Sequence, residues 1–248
     1  MIIRQYLFTL NNNNNNLKVK NMNLYDDFNN YATKHKGISG IQLNQWEKNQ
    51  VGIHRNMTPY IIEESEMRAT QMDIFSRMIK DRVLWVNGQV NERMSNIVSA
   101  QLMYLDTIGG TDISMNIDSP GGCVKSGLTM VDVMNYINSD IQTLNIGMAA
   151  SMGSILLGNG TVGKRASLKH SRVMLHQVST GASGHIEDVE ISVLEGKKYN
   201  KLLLTMLGNF TNKTYEQLLK DARRDFWLTS QEALEYGIID EVVTKKQR

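Results

Sequence analysis

The chain has 248 residues, 41% of them apolar, enough to bury one substantial core. With 27 basic against 25 acidic residues its formal charge is only +2, too weak a field to point to a nucleic-acid partner. A single cysteine, Cys123, excludes an internal disulfide and fits a reducing compartment, and no stretch approaches the roughly 18 apolar residues of a membrane span, so a soluble, cytoplasmic protein is expected.

Met1 to Leu10 is apolar but short, lacks a small-residue cleavage site, and runs into Asn11 to Asn16, a homopolymeric tract that cannot pack a core. Residues 1 to about 21 are therefore expected to be disordered or to precede a translation start at Met22. Leu24, Phe28 and Tyr31 fall at i, i+4 and i+7 and predict a short amphipathic helix. The polar, irregular stretch from Lys34 to about Met57 reads either as a loose docking tail or as a regulated propeptide. This divides the chain into an N-terminal extension over 1–57 and a globular domain over 58–248.

From Pro59 onward the texture changes. Arg82 to Val86 reads as a buried strand, and Met94, Ile97, Val98, Leu102 and Leu105 recur at helical spacing. Ile113 to Ile117 predicts a strand ending in Ser119-Pro120-Gly121-Gly122, followed by a helix to about Asn138, a strand over Ile141 to Ile146 and a helix opening near Ser151. Arg172 to His176 reads as a further strand. Ile186, Val189, Val193, Leu203 and Met206 mark a long helix, and Ile239 to Val243 a closing strand. Alternation of strand and helix at this pitch argues for an α/β architecture.

Two loops are candidates for chemistry. Gly147-Met148-Ala149-Ala150-Ser151-Met152-Gly153 is a run of small residues that lets the chain turn sharply from strand into helix, which would expose the Ser151 hydroxyl at a helix N-terminus where free N–H groups favour negative charge. It is similar to a G-x-S-x-G elbow, but Ala149 stands where the first glycine would be; the same run also suits a small helix face packed on a sheet. Ser119-Pro120-Gly121-Gly122 is either an ordinary tight turn or a loop whose N–H groups point at a carbonyl oxygen. Of five histidines, His35 and His54 lie in the irregular N-terminal region and His170 and His185 in turns, while His176 ends an apolar strand able to hold its ring as a base. Asp188, Asp221, Asp225 and Asp240 are all candidates for its carboxylate partner. No Walker-type or dinucleotide-binding glycine motif and no H-E-x-x-H spacing is present, so no ATP site, bound cofactor or metal is expected.

Ser119-Pro120-Gly121-Gly122, Gly147 to Gly153 and Ser171-Arg172-Val173-Met174-Leu175-His176-Gln177, in that order, resemble the ClpP family of Clp-type serine peptidases. The likeness runs from about Pro59 through Asp73-Ile74-Phe75-Ser76-Arg77 and Gly88-Gln89-Val90 to Ala233-Leu234-Glu235-Tyr236-Gly237-Ile238-Ile239-Asp240. Tyr31 to Ile38 is also similar to the N-terminal extension of some bacterial members. The resemblance implies a crotonase-like fold of stacked βαβ units with a strand-helix handle, here Gly181 to Gly184 and the helix from about Ile186. It implies Ser151 as nucleophile, His176 as base and Asp225 as the third member of the triad, with the N–H groups of Gly122 and Met152 as oxyanion hole. It further implies two stacked heptameric rings enclosing a chamber, polypeptide substrates, and a partner AAA+ unfoldase of the ClpX or ClpA/ClpC type that hydrolyses the ATP.

Some positions depart from the family's pattern. Asp118 stands where Asn is usual, and Val178 where proline is usual. Ser114 and Asn116 replace tyrosines of the apolar pocket that receives the unfoldase, although Tyr136 keeps an aromatic there. Lost apolar area of this kind is worth roughly 1 to 3 kcal/mol per residue, so weak docking, a divergent unfoldase or a ring shared with a second subunit type is expected. The intact Ser151, His176 and Asp225 set weighs against an acyl-CoA enzyme of crotonase fold and against a noncatalytic ring subunit, and the length of the likeness against a viral capsid-maturation protease.

Overall fold

The computed structural model describes residues 60–65, 68–211 and 213–245; the helix expected around Leu24, Phe28 and Tyr31, and the tail after it, lie outside these. The described chain opens with an antiparallel hairpin, β1 (Tyr60–Ser65) and β2 (Arg68–Asp73). Asp73 then starts α1 (Ile74–Lys80), its carboxylate accepting the N–H groups of Phe75 and Ser76, two donors that a helix N-terminus leaves unpaired. Sequence periodicity announces neither the hairpin nor α1, because both are too short to build up a pattern.

A larger sheet has the order β3 (Val83–Asn87), β4 (Ile113–Ser119), β5 (Ile141–Ala150), β6 (Arg165–Leu168) and β9 (Glu241–Val243), parallel throughout. The helices α2 (Glu92–Ile108), α3 (Val124–Tyr136) and α4 (Met152–Gly158) make the crossovers between β3, β4, β5 and β6. This is the α/β architecture of successive βαβ units expected above. β5 is the longest strand and has two partners on one side. Thr143 to Asn145 pair with β6, and Met148 to Ala150 pair with β7 (Arg172–Leu175), which is antiparallel to β8 (Phe226–Thr229). The sheet forks along β5, and the branch leads to Ser151.

Alternation builds the core: Ile113, Met115 and Ile117 of β4 are all fully buried, and Val98, Leu102 and Leu105 of α2 belong to the same cluster. Ile97, assigned to the same stripe, is 47% exposed, since it lies roughly 100° around the helix from the mean direction of those three residues. The strand expected over Arg82 to Val86 begins one residue later. Arg82 adopts φ 60° and turns its guanidinium to the end of α2, donating to the carbonyls of Leu105 (2.8 Å) and Gly109 (2.7 Å) and to Ser139 Oγ (3.2 Å).

The long helix α5 (Ile186–Thr211) buries Leu204, Leu207 and Thr211 near its C-terminus and exposes Ile186, Ile191 and Leu194 toward its start. Residues 176–185, expected to include the handle's strand, join β7 to α5 without forming one; among the described residues no second strand lies beside them, and a ladder needs a partner. Two short helices, α6 (Tyr215–Asp221) and α7 (Ser230–Tyr236), flank β8, and α7 opens with a capping box between Thr229 and Glu232. No helix among the described residues is long and apolar enough to cross a membrane.

Candidate active site

Four chain segments meet at the end of β5, and small residues decide how closely they approach. Ser151 has φ 54° and ψ −121°, a backbone conformation that is costly for any residue with a side chain. Its neighbours hold it there. The Ser151 N–H donates to the Met174 carbonyl of β7 (2.9 Å), and the Ser151 carbonyl accepts from Ser154 Oγ (2.6 Å) and the Ser154 N–H (3.0 Å). A serine at a helix N-cap ordinarily spends its hydroxyl on the first turn. Here Ser151 makes no such bond, so the hydroxyl remains available, and the first N–H groups of α4, beginning with Met152, remain unpaired donors beside it.

The second loop is fitted against this turn. A Cβ at Gly121 (φ 86°) would lie 2.6 Å from Ser151 Cβ and 2.7 Å from the Ala150 carbonyl oxygen. Gly122 (φ 149°) forms an isolated parallel bridge with Val90, in which Val90 N–H donates to the Gly121 carbonyl (2.8 Å) and Cys123 N–H to the Val90 carbonyl (2.9 Å). That pattern uses the groups on either side of Gly122 and turns its own N–H away from Val90. Ser119, fully buried, pins the loop by donating to the Gly88 carbonyl (2.6 Å) and accepting from Gly121 N–H (3.1 Å). Beneath it the β4–β5 register jumps from Ile117 opposite Asn145 to Ser119 opposite Ala149. Asp118 Oδ1 accepts the Met148 N–H (3.0 Å) at this jump. A Cβ on Gly147 would come within 2.6 Å of the same oxygen. Ser119, Val90 and Asp118 were not singled out from the sequence as supports of these loops, because their roles are contacts between segments distant along the chain.

His176 follows β7 directly, and Asp225 precedes β8. The antiparallel register that sets Leu175 opposite Phe226 makes these two the next facing pair, and Asp225 Oδ1 lies 3.3 Å from His176 Nδ1. This contact is slightly longer than the usual range of about 2.7–3.2 Å for a hydrogen bond, and Asp225 is 63% exposed. The other carboxylates are engaged elsewhere or lie apart: Asp221 accepts from Tyr236 Oη (2.8 Å), Asp240 pairs with Arg165 (2.6 Å), and Asp188 sits in the first turn of α5. Among the described residues no hydrogen bond joins Ser151 Oγ to His176. The two side chains nevertheless line one cleft with Gly122, whose apolar wall includes Ile155, Leu175 and Leu204. Cys123, next to Gly122 and exposed, has its thiol held below the ordinary range by the Ser126 hydroxyl and N–H.

A hydroxyl on a strained strand-to-helix turn and an imidazole around one cleft are side chains of the kind hydrolases use, here at the fork of a parallel sheet. The family can be stated more closely. The family model described as Clp protease matches residues 65–246. The chain is 46% identical over 222 residues to a protein of Bacteroides thetaiotaomicron, and equally so to one of Bacteroides fragilis, covering 89% of this chain and the whole of each relative. It is 42% identical over 224 residues to one of Porphyromonas gingivalis, again covering 90% of this chain and the whole relative. All three carry the name ATP-dependent Clp protease proteolytic subunit. The chain belongs to the Clp protease family.

Proposed function

We propose that this protein is a serine endopeptidase that hydrolyses unfolded polypeptides through an acyl-enzyme at Ser151. The observation that carries the reading is the Ser151 turn itself: a positive-φ serine held from both sides, its hydroxyl unspent, in one cleft with His176. Ser151 Oγ attacks the scissile carbonyl while His176 Nε2 takes its proton, and Asp225 keeps the opposite nitrogen protonated and stabilises the cation that forms. The oxyanion is held by the N–H groups of Gly122 and Met152, each such donor being worth about 10²- to 10³-fold in rate. The proton then passes from His176 to the leaving amine, and water repeats the sequence on the acyl-enzyme. A slightly long His176–Asp225 contact in the free chain is compatible with this, since such bonds tighten in the substrate complex.

On this reading the protein works in the cytoplasm as a homo-oligomer of two stacked heptameric rings. The apolar residues that α5 leaves open at Ile186, Ile191 and Leu194 support an oligomer, because side chains of that kind are ordinarily covered. The relatives' names include ATP dependence, whereas this sequence has no phosphate-binding glycine loop. A partner AAA+ unfoldase of the ClpX or ClpA/ClpC type would therefore use the ATP, and this chain needs no cofactor of its own. The test is labelling by a fluorophosphonate serine-hydrolase probe, followed through size-exclusion chromatography. Labelling of a ring-sized species that disappears in Ser151→Ala is expected; a ring-sized species that takes no label would overturn the assignment.

A further inference from the structure

We infer that Asn200 is a positioning residue of the cleft, holding the segment after His176 as the wall against which substrate lies. The inference rests on the peptidase reading above and adds a residue to it. Beyond His176 two consecutive backbone donors are tied in opposite directions. Gln177 N–H donates to the Ala222 carbonyl (2.8 Å), on the side of Asp225, and Val178 N–H donates to Asn200 Oδ1 on α5 (2.9 Å). After that, Ser179 to Gly184 make no backbone hydrogen bond among the described residues, so Asn200 is the last polar tether before a free run into α5.

A second contact shows that the segment follows this face of α5. Gly196 lies one turn before Asn200 on the same side of the helix, and a Cβ there would stand 3.3 Å from Thr180 Cγ2. Val178 to Thr180 thus run along α5, clamped at one end by a hydrogen bond and at the other only by van der Waals contact. Val178, Ser179 and Asn200 line the cleft with Ser151 and His176. The remaining lining residues of α5, Leu203, Leu204 and Leu207, are apolar. Without an acceptor at position 200 the Val178 N–H would be left unpaired in a half-buried place, and the wall would move outward to hydrate it.

The test compares two probes that both form a bond from Ser151 Oγ to phosphorus. One is a small alkyl fluorophosphonate, which loses fluoride; the other is a peptidyl diphenyl phosphonate with a leucine-like side chain, which loses phenoxide. Only the second needs the wall. Wild type is expected to react with both and Ser151→Ala with neither. In Asn200→Leu, which keeps the shape and removes the acceptor, the ratio of peptidyl to small-probe rate constants should fall about tenfold. In Asn200→Asp, which keeps an oxygen for Val178, the ratio should stay within about threefold of wild type. An unchanged ratio in Asn200→Leu, an equal loss of both rates, or an Asn200→Asp ratio as low as that of Asn200→Leu would overturn the inference. Wild type reacting with the small probe alone would overturn it without touching the peptidase reading, and wild type reacting with neither would overturn both.

Discussion

Replacing Gly122 by alanine tests the proposed oxyanion role of its loop without touching a side chain assigned to the reaction. The added Cβ would sit 2.3 Å from the Val90 carbonyl oxygen, 2.9 Å from Val90 N and 3.0 Å from Gln89 Cγ. Ordinary carbon–oxygen contact begins near ~3.3 Å, so loop and Val90 must separate by about 1 Å. Two backbone bonds, Val90 N–H to Gly121 and Cys123 N–H to Val90, resist that separation, and φ 149° is itself unfavourable for alanine. A misplacement of about 1 Å in a catalytic constellation costs on the order of 10²-fold, comparable with losing one oxyanion donor outright. The assay is the fluorophosphonate labelling rate per mole of ring-sized protein, which separates lost reactivity from lost fold. Gly181→Ala is the control, because nothing lies within 4 Å of a Cβ there and its φ needs no glycine. A Gly122→Ala protein labelling within about threefold of wild type would refute the proposed role of the Gly122 N–H.

Other outcomes follow from interactions outside the cleft. Burial alone would raise the Asp240 carboxyl, but the hydrogen bonds and charge of Arg165 and the Gly163 N–H outweigh it and hold the group below the usual carboxylate range. Asp240→Asn, which leaves the buried Arg165 charge without its counter-ion, should cost roughly 3 to 5 kcal/mol in urea unfolding. Because the folded pKa is depressed, the stability Asp240 contributes is present above the unfolded carboxylate value and is lost as pH falls through the folded one. The mutant and wild-type midpoints should therefore converge in acid, and a constant gap down to low pH would contradict this. Cys123 should be alkylated by iodoacetamide with a pH midpoint below that of a free thiol, and Ser126→Ala should move the midpoint upward. For unfoldase docking, weak capture of a bacterial ClpX by the wild-type protein and at least tenfold tighter capture after S114Y with N116Y are expected; tight capture by wild type would remove the reason for assigning weakness to these two positions.

Much of the fold was legible because it rests on periodicity. The burial of Ile113, Met115 and Ile117 repeats every second residue, and Val98, Leu102 and Leu105 return to one face of a helix. Elements without a period escaped: β6 and β8 are four residues each, and α1, α6 and α7 seven each. The extension of β5 to Ala150 also went unread, since its last residues are small and are kept in the sheet by β7 rather than by their own propensity.

For the site, the order of Ser119 to Gly122, Gly147 to Gly153 and His176 was enough by itself to identify the loops and the family they resemble, since small residues and glycines at turns are local requirements. The carboxylate was different. Four aspartates stood as candidates on residue type alone, and only the family resemblance implied Asp225 rather than Asp221 four residues before. What only tertiary structure supplies is the contact itself: the β7–β8 register carries Asp225 across to His176, while Tyr236 and Arg165 engage Asp221 and Asp240. The same holds for the Val90 brace behind Gly122 and the Asn200 tether on Val178: each joins segments that only strand pairing or helix packing brings together, and a contact of that kind leaves no periodic trace along the chain.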